Sequence, residues 1–235
     1  MTDIHCHLLF GVDDGPETME ESARMLRYAK EQGIRRIIAT PHYRHGMFSH
    51  SKERIEASLN QLLPVAKSLG IELGVGTEYH VNSSVVAAME QGKCFTLAGS
   101  RYVLCEYSHN TDYDTIYRMS GELLAHGYVP VIAHVERYLC MTKEVYRAEE
   151  LRELGGWIQV NADAVLGYEG WGIKKYCKKM ISRELVDVIA SDSHDVKKRC
   201  CHLKECKMYV SRRFGDDTAE RLLVHNTEKI WKNLL

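Results

Sequence analysis

The chain has no run of about 18 apolar residues, the length a helix needs to cross a bilayer. It has only four prolines and no low-complexity stretch, so no linker is evident and one domain over residues 1–235 is expected. Neither sign of charge dominates: 31 Lys and Arg against 32 Asp and Glu leave a formal net charge of -1. That balance, without a stripe of interleaved basic and aromatic residues, argues against a protein built to bind nucleic acid. The eight cysteines, at 6, 94, 105, 140, 177, 200, 201 and 206, form no CxxC pair. The opening MTDIHCHLL places acid and histidine where a secretion signal would carry basic and then apolar residues. Reduced thiols in a cytoplasmic protein are therefore expected, not a disulfide framework.

What is present is a core and an unusual amount of histidine. Hydrophobic residues make up 45% and charged residues 27%, a composition that folds, and twelve histidines lie along the chain. Short apolar runs recur at Asp3–Leu9, Arg35–Thr40, Ile71–Thr77, Tyr102–Tyr107, Val129–Ala133, Trp157–Asn161 and Val186–Ser191. Several are almost continuously hydrophobic, as strands of a parallel sheet covered on both faces should be. Helical stretches separate them. Thr18-Met-Glu-Glu21 is a capping-box pattern opening a helix toward Gly33, and further helices are expected over Ser51–Leu69, Asp114–Ala125, Lys143–Leu154, Lys174–Glu184 and from Asp217 onward. Seven strands alternating with helices predict an α/β barrel or an open doubly wound sheet.

The polar residues keep to one place in that pattern. His5 and His7 alternate around Cys6, so in a strand both imidazoles face one side, with Ile4 and Cys6 on the other. An HxH pair alone is a common accident, and the Asp13-Asp14-Gly15-Pro16 stretch after it is normally a plain turn. The remaining candidates change the balance. His42 closes the second run, Glu78 the third, Glu106 the fourth and His134 the fifth, while Asp192 and His194 close the seventh. Reactive groups of α/β proteins gather at the carboxyl ends of the strands. Five imidazoles and four carboxylates suit Zn, Mn or Fe(II), and nine ligands are enough for two or three ions sharing a bridging carboxylate. Arg137 and Arg199 follow His134 and His194 in loops above the same face, where guanidinium forks could bind phosphate oxygens.

A cysteine nucleophile is disfavoured. Cys177 with Arg183 and Cys206 with Arg212 match C-x5-R, but neither intervening segment holds a glycine to curl a phosphate-binding loop. Lys197-Lys198-Arg199 is too short for a nucleic-acid patch, although it could attract an anionic substrate. His45, His50, His80, His109, His126, His202 and His225 lack ligand spacing; only His80, two residues beyond Glu78, is placed to support the site.

DIHCH, GVDDGPETMEES, IIATPH, GTEY, VIAHVERY and ASDSHDVKKR together resemble the polymerase-and-histidinol-phosphatase (PHP) superfamily over roughly residues 1 to 200. More narrowly they resemble its bacterial protein-tyrosine-phosphatase branch, the capsular and exopolysaccharide phosphatases of Gram-positive bacteria. The resemblance implies a distorted (β/α)7 TIM-like barrel carrying three metal ions. His5, His7, Glu78 and Asp192 would hold the first; Glu78 would bridge to a second completed by Glu106 and His134; Asp14, His42 and His194 would hold the third. Arg137 and Arg199 would bind phosphate. It further implies a phosphotyrosine-containing protein substrate, a membrane-associated tyrosine autokinase that regulates polysaccharide export. A small-molecule phosphatase, for example of histidinol phosphate, is the alternative on the same site. The chain departs from the pattern at Tyr43, Val135 and Cys200-Cys201, which bears on loop shape and substrate preference and leaves the proposed ligands in place.

Overall fold

The computed structural model describes residues 1–44 and 46–234, so His45 lies outside the described residues. Among the described residues, nine short strands, all paired in parallel, make seven staves: β1 (Thr2–Cys6), β2 (Arg36–Ala39), β3 (His42–Tyr43), β4 (Glu72–Val75), β5 (Glu78–His80), β6 (Tyr102–Glu106), β7 (Val129–Ile132), β8 (Trp157–Asn161) and β9 (Val188–Ala190). Two of the expected strands are broken in the middle. β2 and β3 are one stave interrupted at Thr40–Pro41, and β4 and β5 are another interrupted at Gly76–Thr77. Pro41 has no N–H to continue a ladder, and a Cβ at Gly76 would press to 2.8 Å from Leu97.

The breaks divide the sheet into β1-β2-β4 and β3-β5-β6-β7-β8-β9. The ring closes between β1 and β9 through a Cys6–Ser193 bridge, with Asp192 N–H donating to His5 O and His7 N–H to Ser193 O. The result is a distorted seven-staved barrel, one of the two architectures the strand pattern allows and the one the family resemblance implies. Asp3 staples the same seam, accepting from Ser191 N–H and the Ser191 hydroxyl while fully buried.

Helices wrap the outside. α1 (Met19–Glu31) opens with the Thr18–Glu21 capping box, and α2 (Lys52–Leu69) runs from Ser51 to a left-handed Gly70. They are followed by α3 (Val85–Glu90), α4 (Tyr113–Ala125), α5 (Leu139–Lys143), α6 (Tyr146–Leu154), α7 (Ala162–Leu166) and α8 (Trp171–Ser182). α9 (Leu203–Phe214), α10 (Asp216–Glu220) and α11 (Asn226–Lys232) complete the wrapping. The helix expected over Lys143–Leu154 is divided, because Glu144 takes an extended backbone between α5 and α6. The final helix contains a π-turn at Arg221–His225.

Two apolar clusters result from the alternation of the strands. Ile4, Ile38, Leu104, Val131, Ala133, Val188 and Ala190 fill the barrel's lower interior, while Ile37, Val103, Cys105, Ile132, Ile158, Val160 and Ile189 face the helices. Above the lower layer, inward positions turn polar: His5, Glu106, Gln159 and Asn161 occupy them. β1 needs an adjustment to do this. Its register shifts between Asp3 and Cys6, so Ile4 and Cys6 do not share a face as simple alternation predicts: Ile4 joins the interior cluster and Cys6 the outer one. Such a bulge re-aims side chains, and here it lets His5 and His7 both reach the mouth.

Candidate metal centre

The nine residues proposed from the sequence converge at the carboxyl end of the barrel. His5, His7, Glu78 and Asp192 form one group whose ligand atoms lie within 4.8 Å of one another; His7, Asp14, His42 and His194 form a second; His42, Glu78 and Glu106 form a third. His134 joins through its Nε2, 2.8 Å from Glu78 Oε1. Glu78 is the hub. Its Oε2 is 3.2 Å from His5 Nε2, 3.1 Å from His7 Nε2 and 3.0 Å from His42 Nδ1. His42 faces two ways, with its Nε2 3.4 Å from Asp14 Oδ1, and Asp14 Oδ1 is in turn 3.2 Å from His194 Nε2.

This packing fits divalent ions. Glu78 Oε2 and His194 Nε2 are buried polar atoms without a well-directed hydrogen bond, despite those close approaches. His5 Nε2 and His7 Nε2 face each other at 3.2 Å. Lone pairs aimed at a common point are costly unless a cation sits there. Ligand bonds of about 2.0–2.2 Å put neighbouring ligand atoms roughly 3.0–3.5 Å apart, the spacing found among these nitrogens and oxygens.

The backbone supplies some of the aim. His134 and Asp192 have positive φ, +32° and +54°, each two residues beyond the end of its strand, β7 and β9. Non-glycine residues seldom hold that conformation, and it concentrates at functional sites. At His134 it reverses the strand's alternation, turning an outward position over the mouth. Gly15 answers a different demand: a Cβ there would collide with the His7 carbonyl, so the Asp-Gly-Pro turn can lie flat against β1.

A ring of partners holds the distal nitrogens. His7 Nδ1 is 2.7 Å from Asp13 Oδ2, which also accepts from His42 N–H, while Asp13 Oδ1 accepts from Gly15 N–H. Asp13 was readable only as part of a turn; its carboxylate in fact orients one candidate ligand and anchors the backbone of another. His5 Nδ1 meets Gln159 Oε1 at 3.0 Å, His194 Nδ1 meets Asp192 O at 2.9 Å, and His134 Nδ1 meets Tyr138 Oη at 3.3 Å. His80 contacts Glu106 Oε2 at 3.1 Å, the supporting position its spacing suggested. Gln159, Tyr138 and Asp13 carry no spacing signal, since each touches a candidate ligand across the barrel or through a turn.

The neighbouring imidazoles, with Arg137 beside Asp192, favour the charged form of the buried Glu78 and Asp192 carboxylates. Burial opposes ionisation of Glu78, but His5, His134 and His42 outweigh it and hold its carboxyl well below the usual range. Burial likewise opposes charge on Asp192, and His5, His7 and Arg137 overcome it. Arg137 Nη1 lies 2.9 Å from Asp192 Oδ2 and its Nη2 3.3 Å from Glu169 Oε1; Arg199 contacts Asp192 Oδ2 and Asp14 Oδ2, both at 3.3 Å. Both guanidinium side chains remain open to solvent, at 36% and 41% exposure. Asp195 Oδ1 accepts from the backbone of Lys197, Lys198 and Arg199, folding that loop back over the mouth. The eight cysteines are all free, and Cys177 and Cys206 are fully buried in α8 and α9.

The chain is 34% identical to the tyrosine-protein phosphatase CpsB of Streptococcus pneumoniae, over 98% of each. It is 28% identical to the tyrosine-protein phosphatase YwqE of Bacillus subtilis, over 99% of this chain and 92% of that one. A crystal structure from work on YwqE and CpsB, described as unique metal-dependent tyrosine phosphatases, superposes with a TM-score of 0.91 at 28% identity, covering 100% of this chain and 96% of the other. The histidinol phosphate phosphatase of Lactococcus lactis shares the fold, with a TM-score of 0.59 at 15% identity. A model of the capsular polysaccharide synthesis family CpsB/CapC matches residues 1–232, and the chain belongs to that family.

Proposed function

We infer that the protein is a metal-dependent protein-tyrosine phosphatase of capsular polysaccharide synthesis. The observation that carries this reading is the buried Glu78 Oε2, facing three imidazole nitrogens at 3.0–3.2 Å beneath two solvent-facing arginines. We propose that His5, His7, Glu78 and Asp192 hold one ion, that Glu78, Glu106 and His134 hold a second, and that Asp14, His42 and His194 hold a third. Manganese, iron and zinc all suit this mixture of imidazole and carboxylate. Bound ions would supply an activated water and positive charge at the phosphoryl group.

The chain's own residues do the rest. Arg137 and Arg199 donate to the non-bridging phosphate oxygens and neutralise charge as the P–O bond to the tyrosine phenolate breaks. Their contacts with Asp192, Asp14 and Glu169 hold the forks in place before substrate arrives. An open mouth with exposed guanidinium groups suits a phosphate presented on a protein, and a membrane-associated tyrosine autokinase is the proposed partner. The free thiols, and the lack among the described residues of any helix long and apolar enough to cross a membrane, support a cytoplasmic setting. The test is steady-state kinetics on phosphotyrosine peptides and on histidinol phosphate, with metal content measured on the same samples. Higher kcat/KM for the peptides is expected; a preference for histidinol phosphate would move the assignment to a small-molecule phosphatase.

A further inference from the structure

β8 supplies no residue to the three ligand groups, yet two of its inward side chains lie between members of one of them. Gln159 and Asn161 are fully buried, as are His5 and Asp192. His5 Nδ1 stands 3.0 Å from Gln159 Oε1, Gln159 Nε2 is 2.7 Å from Asn161 Oδ1, and Asn161 Nδ2 is 3.0 Å from Asp192 Oδ2. The four side chains form a continuous line from one strand of the seam to the other, behind the ligand atoms.

The direction of every bond in that line follows from its far end. Asp192 Oδ2 also faces Arg137 Nη1 at 2.9 Å, a group that can only donate, so this oxygen is an acceptor and Asn161 must turn its NH2 toward it. The Asn161 oxygen then faces Gln159, which must donate. The Gln159 oxygen therefore faces His5, whose Nδ1 must carry the proton, leaving the lone pair on Nε2. That nitrogen is the one 3.2 Å from Glu78 Oε2 and 3.3 Å from Asp192 Oδ1. The same line sorts the oxygens of Asp192. Asn161 and Arg137 occupy Oδ2, while Oδ1 faces His5 and His7.

We propose that Gln159 and Asn161 are positioning residues that fix the His5 tautomer and the free oxygen of Asp192, presenting both to one divalent ion. The proposal rests on the reading of this site as a metal centre. Partners behind metal ligands matter at about 10–100-fold in affinity. Gln159 is turned toward His5 only while Asn161 stands behind it, so loss of either removes the ordered acceptor on His5 Nδ1.

The experiment is titration of Zn2+ against a chromophoric chelator for the wild type, Gln159→Leu, Asn161→Leu, the double variant, Gln159→Glu and Glu78→Ala. Thermal unfolding in chelator shows that each is folded; Asn161→Ser, too short to reach Asp192, replaces Asn161→Leu if that variant does not fold. One equivalent of Zn2+ should bind about 10–100-fold more weakly in each Leu variant, and the double variant should lose little more than either single one. Gln159→Glu gives up the donor to Asn161 but presents an acceptor to His5 whichever way its carboxylate turns, and should bind within about tenfold of wild type. A role in packing alone predicts the opposite order, with buried Leu tolerated and buried Glu harmful. Unchanged binding in the Leu variants, additive losses, or Leu binding better than Glu at 159 overturns the relay. If Glu78→Ala still loses Zn2+, the metal centre stands; if it too binds like wild type, the metal reading falls with the relay.

Discussion

Arg137 and Arg199 combine two demands that usually separate. Each touches the buried Asp192 carboxylate, yet each side chain stays partly exposed. An arginine has no lone pair and cannot ligate a metal, so alanine at either position should leave the ions in place, since Asn161 still holds Asp192 Oδ2. Turnover should fall: loss of one charged donor at a phosphoryl group implies a decrease on the order of 10²-fold in kcat/KM. Lys should recover only part of it, lacking the planar fork. Kinetics on a phosphotyrosine peptide with parallel metal analysis check this, and near-wild-type turnover in both alanine variants would remove the clamp from the mechanism. The thiols should matter far less. Burial pushes Cys177 and Cys206 well above the ordinary thiol range, so neither is a thiolate near neutral pH. Activity should survive iodoacetamide, and Cys177→Ser and Cys206→Ser should both remain active; inactivation with metals still bound would revive a cysteine mechanism.

Strands carry the design one level up. The upper interior positions of β1, β6 and β8 are polar while the lower ones are apolar, and that change along a few short staves creates the site. Much of this was legible, because near-continuous hydrophobic runs ending in His, Glu or Asp mark both the strand and its functional end. Other features depend on contacts that periodicity does not report. The breaks at Thr40–Pro41 and Gly76–Thr77 place His42 and Glu78 at the start of new strands instead of the end of old ones, paired as neighbours. The shift within β1 separates Ile4 from Cys6. α9 is absent from the helices expected above, although its buried Leu203, Cys206 and Val210, spaced i, i+3 and i+7, share one face. The seam makes its own prediction. Asp3→Ala would orphan the buried Ser191 N–H and should lower stability by about 1–3 kcal/mol, measured by urea unfolding of the metal-free protein. An unchanged midpoint would show that the seam holds without the staple.

At the scale of the molecule, the candidate ligands are collected from almost the full length of the chain. His5 and Asp192 are far apart in sequence but meet across one seam, and Glu78 contacts both His5 and His7 from the opposite side of the mouth. Chelation should therefore abolish phosphatase activity in a protein that stays folded, and re-addition of Mn2+, Fe2+ or Zn2+ should restore it. Loss of turnover without recovery under any of the three would argue against a simple metal requirement.

The closure of β1 on β9 also has a consequence for how the chain comes to be active. A partly formed barrel lacks one edge of the nest, so the ion of His5, His7, Glu78 and Asp192 cannot bind until the two remote strands have met. The ion then works as a clasp fastened last, gripping contacts formed after the folding barrier has been crossed. Metal should slow the opening of the barrel while hardly changing the rate at which it assembles. A chain interrupted during synthesis would hold most of the helices and none of the chemistry.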